Sequence, residues 1–255
     1  MADLYFSSTA GGNTSGDTGS CWFTDSGFAV SFGLTPTTGD NAYFQEGTAD
    51  SYSFTCDNVY VSGATLTTVN SGQTIASVTA GSITTNGGIV SNLDAGMTIS
   101  TNNGTITGCA GNVTTNNGTI DSVTATGVVT TNASSAVITV NYGTVTENAS
   151  GGTVTTNGYA STLTTNNGTV TSNLGTITTN ASGAVTSNAG TITTNSASGN
   201  VLANSGTITT NSGNVKIGVI TGGSGTLSAA TTTNLASHTA GTNVTLPSGG
   251  GLTWW

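Results

Sequence analysis

Charge is almost missing from this chain. Only 4% of its 255 residues are charged, and ten acids face a single base, Lys216, with no arginine at all. A nucleic-acid interface needs cations to neutralise phosphates, and anionic bilayer surfaces attract basic segments. Neither nucleic acid nor membrane is therefore expected as a partner, and no stretch is long and apolar enough for a bilayer-spanning helix. Proline is nearly absent too, with 2 residues, and His238 is the only histidine. It has no cysteine or acid near it in sequence, so it reads as an exposed or capping residue rather than a catalyst. The three cysteines, Cys21, Cys56 and Cys109, fit no metal-ligand spacing, and no cofactor is expected. A Cys21–Cys56 bridge stands as the alternative to three reduced, mostly buried thiols. The opening MADLYFSSTAGG lacks a basic segment followed by an apolar run, so any export is expected to proceed without an ordinary secretory leader. Trypsin is left with one cut, after Lys216.

What is present is threonine, asparagine, glycine and serine, punctuated by valine and isoleucine. Low-complexity polar text often means disorder, because too little apolar surface offsets chain entropy. Disordered chains are, however, typically rich in charge and proline, whereas this one is rich in strand-favouring Thr, Val and Ile. Its turn-forming residues are mostly Asn and Gly, which tolerate positive φ. Strands separated by corners are the better reading.

Residues 175–195, GTITTNASGAVTSNAGTITTN, hold three copies of one phrase. From Ile99 onward its aliphatic anchors recur at steps of seven to nine residues: Ile99, Ile106, Val113, Ile120, Val129, Ile138, Val145 and so on to Val215. Grouped in threes, every group ends on a step of seven. That pattern predicts a three-sided parallel β-helix with 21–25 residues per coil, in which one corner of each coil is always tight. Corners such as Asn141-Tyr142-Gly143 and Asn166-Asn167-Gly168 would be the tight ones. On this reading Ile120, Val145, Val170, Ile192 and Val215 are stacked core anchors, at about 4.8 Å per coil. Strand alternation would send Ile177 and Thr179 inward and Thr176 and Thr178 outward. The corner asparagines are expected to form ladders between coils. Three chains winding about one axis, each supplying a side, fit the same text.

The chain divides on composition into an aromatic-rich cap or attachment region (1–60), the β-helix (61–220) and an irregular tail (221–255). All six phenylalanines fall in the first region: Phe6, Phe23, Phe28, Phe32, Phe44 and Phe54. Aromatics bury large areas and anchor interfaces. Trp22, Phe23, Phe28, Phe32, Tyr43 and Phe44, with Trp254 and Trp255 in the tail, are accordingly candidates for docking a partner. Sealing the first coil is the competing role.

Catalytic chemistry is not legible. The repeat region holds only three acids, Asp94, Asp121 and Glu147, which form no obvious pair for glycoside hydrolysis. Calcium-binding coils would need an acid in every repeat. The protein is not expected to be an enzyme. The Asn-x-Thr triplets arise automatically from the repeat and carry no weight as glycosylation sites. Three pairs, Thr144 with Thr146, Thr169 with Thr171 and Thr191 with Thr193, read as an outward array on successive coils of one face. Such an array is similar to the ice-binding face of β-solenoid antifreeze proteins. The pairs Thr153 with Thr155, Thr176 with Thr178 and Thr207 with Thr209 then place the same pattern on the other faces, which weakens that analogy.

The segments Trp22-Phe23-Thr24-Asp25 and Pro36-Thr37-Thr38-Gly39-Asp40-Asn41-Ala42-Tyr43-Phe44 resemble the opening module of phage and bacterial β-helical surface proteins. There an aromatic-rich start leads through a Pro–Gly–Asp turn into the first solenoid strand. The resemblance covers residues 20–60 and the style of the repeat. It implies a virion-surface location as a capsid decoration or tail appendage, other virion proteins as partners, and homotrimeric assembly. The missing carboxylate pair departs from the polysaccharide-cutting spikes. The expected function is thus a non-catalytic structural protein of a phage particle. An ice-binding β-solenoid and a bacterial adhesin or glycan-binding spike are the alternatives.

Overall fold

The structure, a computed structural model, describes residues 2–217 apart from 13–14, 17–18, 55 and 212–213, together with the short strands Thr233–Leu235 and Leu252–Thr253. Trp254, Trp255 and His238 lie outside the described residues. Nearly every described element is a β-strand, and nearly all pairings are parallel, as in a solenoid. The chain falls into two compact units, Met1–Asp121 and Ser122–Trp255.

In the second unit the strands from Val128–Asn132 to Thr207–Asn211 are five residues long and vary one sentence, Thr-aliphatic-Thr-Thr-Asn. They form two separate parallel ladders. One runs through Val128–Asn132, Thr144–Asn148, Thr162–Asn166, Thr176–Asn180, Thr191–Asn195 and Thr207–Asn211. The other runs through Val137–Asn141, Thr153–Asn157, Thr169–Asn173, Ala184–Asn188, Asn200–Asn204 and Asn214–Ile217. Each strand pairs with the next but one in sequence. A coil therefore has two strands, not the three expected, and is shorter than 21–25 residues: Thr162 pairs with Thr176, 14 positions on, and Thr144 with Thr162, 18 on.

The core anchors move accordingly. Val145 stacks between Val129 and Leu163, and Ile192 between Ile177 and Ile208, in the first ladder. Val170 lies in the other ladder, between Val154 and Val185, with Val215 two strands further on beside Val201. Every one of these anchors is buried, as is Ile120 in the first unit. Their inwardness is legible in the sequence; their division between two columns, instead of the expected three, is not.

The corner asparagine explains why the coil closes after two strands. In Thr176-Ile177-Thr178-Thr179-Asn180 the fully buried residues are Ile177 and Asn180, while Thr179 is half-buried. Strict alternation fails at the strand end because the chain is already turning. The buried Asn148 side chain donates to Asn166 Oδ1 of its own ladder (2.8 Å) and to the carbonyl of Thr169 in the facing ladder (3.2 Å). Asn157 does the same toward Asn173 (2.8 Å) and Thr176 (3.2 Å). One amide thus ties the end of one strand to the start of the opposite one, which demands a full reversal. The step lengths of seven, eight and nine only count corner residues, and a bridged reversal accommodates them all.

Tight corners need glycine for a reason other than positive φ. A Cβ on Gly168 would lie 2.2 Å from the Gly152 carbonyl oxygen, and one on Gly190 2.1 Å from that of Gly175. Stacked coils pass too closely there for any side chain. Left-handed backbone occurs instead in the longer corners, at Ser135 (φ 67°), Gly151 (φ 84°) and Ala160 (φ 60°), two of which are residues that enter that region at a cost.

The first unit begins with the same kind of parallel pairing. Asp3–Ser7, Asn41–Glu46, Asn58–Val69, Ser77–Asn86 and Thr98–Asn102 lie side by side in that order. Parallel pairing thus already begins within residues 1–60, the segment expected to be a cap or attachment region. The two-residue strand Trp22–Phe23 adds antiparallel to the free edge of Asp3–Ser7. Beneath it Phe6, Trp22, Phe44, Tyr52 and Phe54 form one cluster, with Phe6–Trp22 centroids 5.4 Å and Trp22–Phe54 5.3 Å apart. Edge strands left bare recruit other chains, and this cluster with its antiparallel strand covers the edge. An asparagine ladder runs from Asn86 to Asn102 to Asn116, each link 2.7 Å. The other corner is apolar, with buried Cys109 paired to Leu93 where the second unit has asparagine.

Candidate functional site

The residues expected to dock a partner separate into two groups. Trp22, Phe23 and Phe44 are buried, 0%, 6% and 0% exposed, and serve the interior of the first unit. Trp22 spends its indole N–H on the Gly16 carbonyl at 2.8 Å. Their size made them look like anchors for a partner, but the sheet edge they cover uses them up. Phe28, Phe32 and Tyr43 remain half-buried. Phe28 meets Phe23 edge-on at 5.4 Å, and Tyr43 stacks between Tyr5 (5.2 Å) and Tyr60 (4.8 Å). The exposed apolar residues nearby are Val30 and Leu34, 57% and 66% exposed. Phe28, Val30, Phe32 and Leu34 alternate along one loop, a period-two signal present in the sequence but masked there by the size of the aromatics.

That loop is held by carboxylates. Asp25 accepts backbone N–H bonds from Val30 (2.8 Å), Gly27 (3.0 Å) and Ala29 (3.2 Å), which together hold its pKa below 3.8, the Ala29 bond most. Asp40 accepts from the Thr37 N–H (3.1 Å) and hydroxyl (3.0 Å), and the Thr37 backbone bond is the main cause of its lowered pKa. These acids, both in the segment that resembles phage surface proteins, are staples of backbone rather than reagents.

The acids of the repeat have similar duties. Glu147 Oε1 accepts from the Asn167 amide at 3.2 Å, and Asp94 from the Asn92 amide, while Asp121 is exposed. Among the described residues no group of three or more His, Cys, Asp or Glu is placed to hold a metal ion. No disulfide links Cys21 to Cys56; Cys21 and Cys109 are buried and Cys56 is half-buried. Burial pushes the Cys109 thiol up to about 12; burial, with Asp40 and Asp57 nearby, pushes Cys56 up to about 11. Neither is a thiolate near neutral pH.

The threonine array is where the corrected coil changes the picture most. All six of its expected members face outward: Thr146, Thr169, Thr171 and Thr193 are exposed, and Thr144 and Thr191 are half-buried. They do not share one face, however. Thr144, Thr146, Thr191 and Thr193 stand on the first ladder, whereas Thr169 and Thr171 belong to the opposite one. The grouping of Thr146 with Thr171 assumed a three-strand coil; in a two-strand coil the strands of Thr146 and Thr171 fall on opposite sides. Conversely Thr176 and Thr178, with Thr207 and Thr209, expected on other faces, join Thr144 and Thr146. The first ladder thus presents Thr-x-Thr on five consecutive coils, in the strands that begin at Thr144, Thr162, Thr176, Thr191 and Thr207. Along the strand the paired hydroxyls repeat at about 6.7 Å and between coils at about 4.8 Å. The opposite ladder breaks the pattern with Val137, Ala184, Asn200 and a 46% exposed Leu202. One face is a regular hydroxyl grid whose strands carry a single acid, Glu147, beside the array, and the other is mixed.

The class these features define is an all-β, two-ladder parallel solenoid with an internal aromatic cluster near its N-terminus. Compared with known proteins, the chain matches no family model, no curated protein and no solved structure.

Proposed function

We propose that this chain is a non-catalytic structural protein on the surface of a phage particle, a capsid decoration or tail appendage working as a homotrimer with other virion proteins. The observation that carries the reading is the self-sufficiency of the coils. Aliphatic columns, asparagine ladders and backbone bonds satisfy each coil internally with almost no charge, as suits a scaffold that must persist outside a cell. The likeness of residues 20–60 to the opening of phage surface proteins supports it, and Phe28, Val30, Phe32 and Leu34 replace the buried aromatics as the docking residues. Mass spectrometry of purified particles is the test: the chain is expected among the structural proteins, and its absence from them rejects the reading.

A second reading, ice binding, is favoured by one specific observation. The five-coil Thr-x-Thr grid is confined to one face, and a regular, uncharged array of hydroxyls and methyls orders water in a way a mixed face does not. Thermal hysteresis measured on the purified chain decides it. Activity abolished by Thr178→Tyr with Thr193→Tyr supports the reading; a freezing point that tracks solute concentration alone eliminates it.

A further inference from the structure

We infer that the outer face of the first unit is a docking surface for an arginine-bearing segment of another protein, built on the stacked tyrosines Tyr5, Tyr43 and Tyr60. The inference concerns the chemistry of a partner and depends neither on a virion location nor on the threonine face. The three tyrosines occupy matching positions of the strands Asp3–Ser7, Asn41–Glu46 and Asn58–Val69. Their chain neighbours Leu4, Phe6, Phe44 and Val61 are fully buried, so strand alternation turns the tyrosines outward, where all three are half-buried.

The ring centroids lie 5.2 Å and 4.8 Å apart, so the rings follow the strand spacing and cover one another's faces. One end of this row is closed, because Phe23 pairs with Tyr5 and is itself met by Phe28. The other end is open. The register places Ser77 after Tyr60, a side chain too small to cover a ring, and no aromatic ring stacks there among the described residues. A planar group laid over Ser77 would continue the stack.

Carboxylates flank the row. On one side Asp3 accepts from the Asn41 amide (2.8 Å), and Asn58 donates in turn to Asn41 Oδ1 (2.9 Å). On the other side Ser7, two positions beyond Tyr5, donates to Glu46 Oε2 (2.7 Å). Asp3 Oδ2 and Glu46 Oε1 make no bond among the described residues. Burial, and after it the Asp3 carboxylate, hold the Tyr43 phenol above its ordinary pKa, so the middle of the row stays neutral.

Charge and shape together select a guanidinium. Arginine joins a cation that the flanking carboxylates attract to a plane that stacks on a phenol ring, whereas lysine brings the charge alone. Residues 1–121 contain nine of the ten acids and neither lysine nor arginine, so the unit cannot neutralise this face itself. A second copy is equally unsuited, because the whole chain has no arginine and one lysine, Lys216. The occupant is therefore a different protein with exposed arginines.

The test is titration calorimetry of the full chain with hexa-arginine, hexa-lysine and hexa-serine, at about 0.15 M salt, where distant charges are screened. Hexa-arginine is expected to bind at least about fivefold tighter than hexa-lysine, and hexa-serine to give no heat. Tyr60→Ser should weaken hexa-arginine about fivefold, and Tyr60→Phe, which keeps the ring face, less than about twofold. Asp3→Asn with Glu46→Gln retains the oxygens that accept from Asn41 and Ser7 and should weaken binding about tenfold. Asp94→Asn with Asp121→Asn removes as much charge from elsewhere in the unit and should change binding less than about threefold. The inference is overturned by hexa-arginine that gives no heat, by hexa-lysine that binds as tightly, by a Tyr60→Ser chain that binds like the parent, or by equal losses in the two acid pairs.

Discussion

Asn166→Ala is the sharpest probe of the two-strand coil. Asn166 is fully buried, accepts from the Asn148 amide at 2.8 Å and donates to Asn180 Oδ1 at 2.9 Å. Truncation removes both links. Two net hydrogen bonds at about 1 kcal/mol each, plus about 1 kcal/mol for the Asn180 acceptor left dry, give roughly 3 kcal/mol. Asn148 loses less, because its amide also donates to the Gly152 and Thr169 carbonyls. Stacked coils interact with near neighbours only, so the damage should be local before it is global. The expected result is a lowered urea midpoint and faster amide exchange at Ala181 and Gly183, whose N–H groups bond to the Asn166 carbonyl. The exposed Thr178→Ala, in the neighbouring strand, is the control and should fall within about 0.5 kcal/mol of the parent. A midpoint shift no larger for Asn166→Ala than for Thr178→Ala would refute the claim that the ladder bonds hold the corner.

Leu163→Ala, between Val145 and Ile177, should cost about 2–5 kcal/mol by urea unfolding, since the narrow core has little with which to refill the gap. Lowering the pH should loosen the first unit's loops. Asp25 and Asp40 have folded pKa values below 3.8, so the stability they contribute is complete above about pH 4 and is lost as pH falls through the folded values; protease cleavage in residues 24–40 should rise there. Cys109, raised to about 12, should resist alkylation at pH 8 in the folded chain and react once it is unfolded. Its unfolded thiol ionises near roughly 8.5, so stability should also decline as pH rises past that value.

Local chemistry was enough to say which residues go inside. Only one aliphatic per phrase offers apolar burial, Thr and Val favour strands, and the asparagine that ends most strands of the repeat has to satisfy its amide; Val145, Val170 and Asn166 are buried for those reasons. How many strands close a coil is not a local property. The corner of Asn148 and the corner of Asn157 look alike in one dimension, and corners of two or four residues suit a triangle as well as a flattened coil. The choice depends on where the amide finds its second acceptor, the Thr169 or Thr176 carbonyl of the facing ladder, which exists only when the chain is folded. The same holds for the sites. Trp22 and Phe44 declared their hydrophobicity in the sequence, but only packing determined that they bury one another. Likewise, folding alone put Thr176 and Thr178 on the face of Thr144 and Thr146, and Thr171 on the other. Hydrophobic pattern sets inside against outside; the hydrogen bonds that cross the fold set which faces exist.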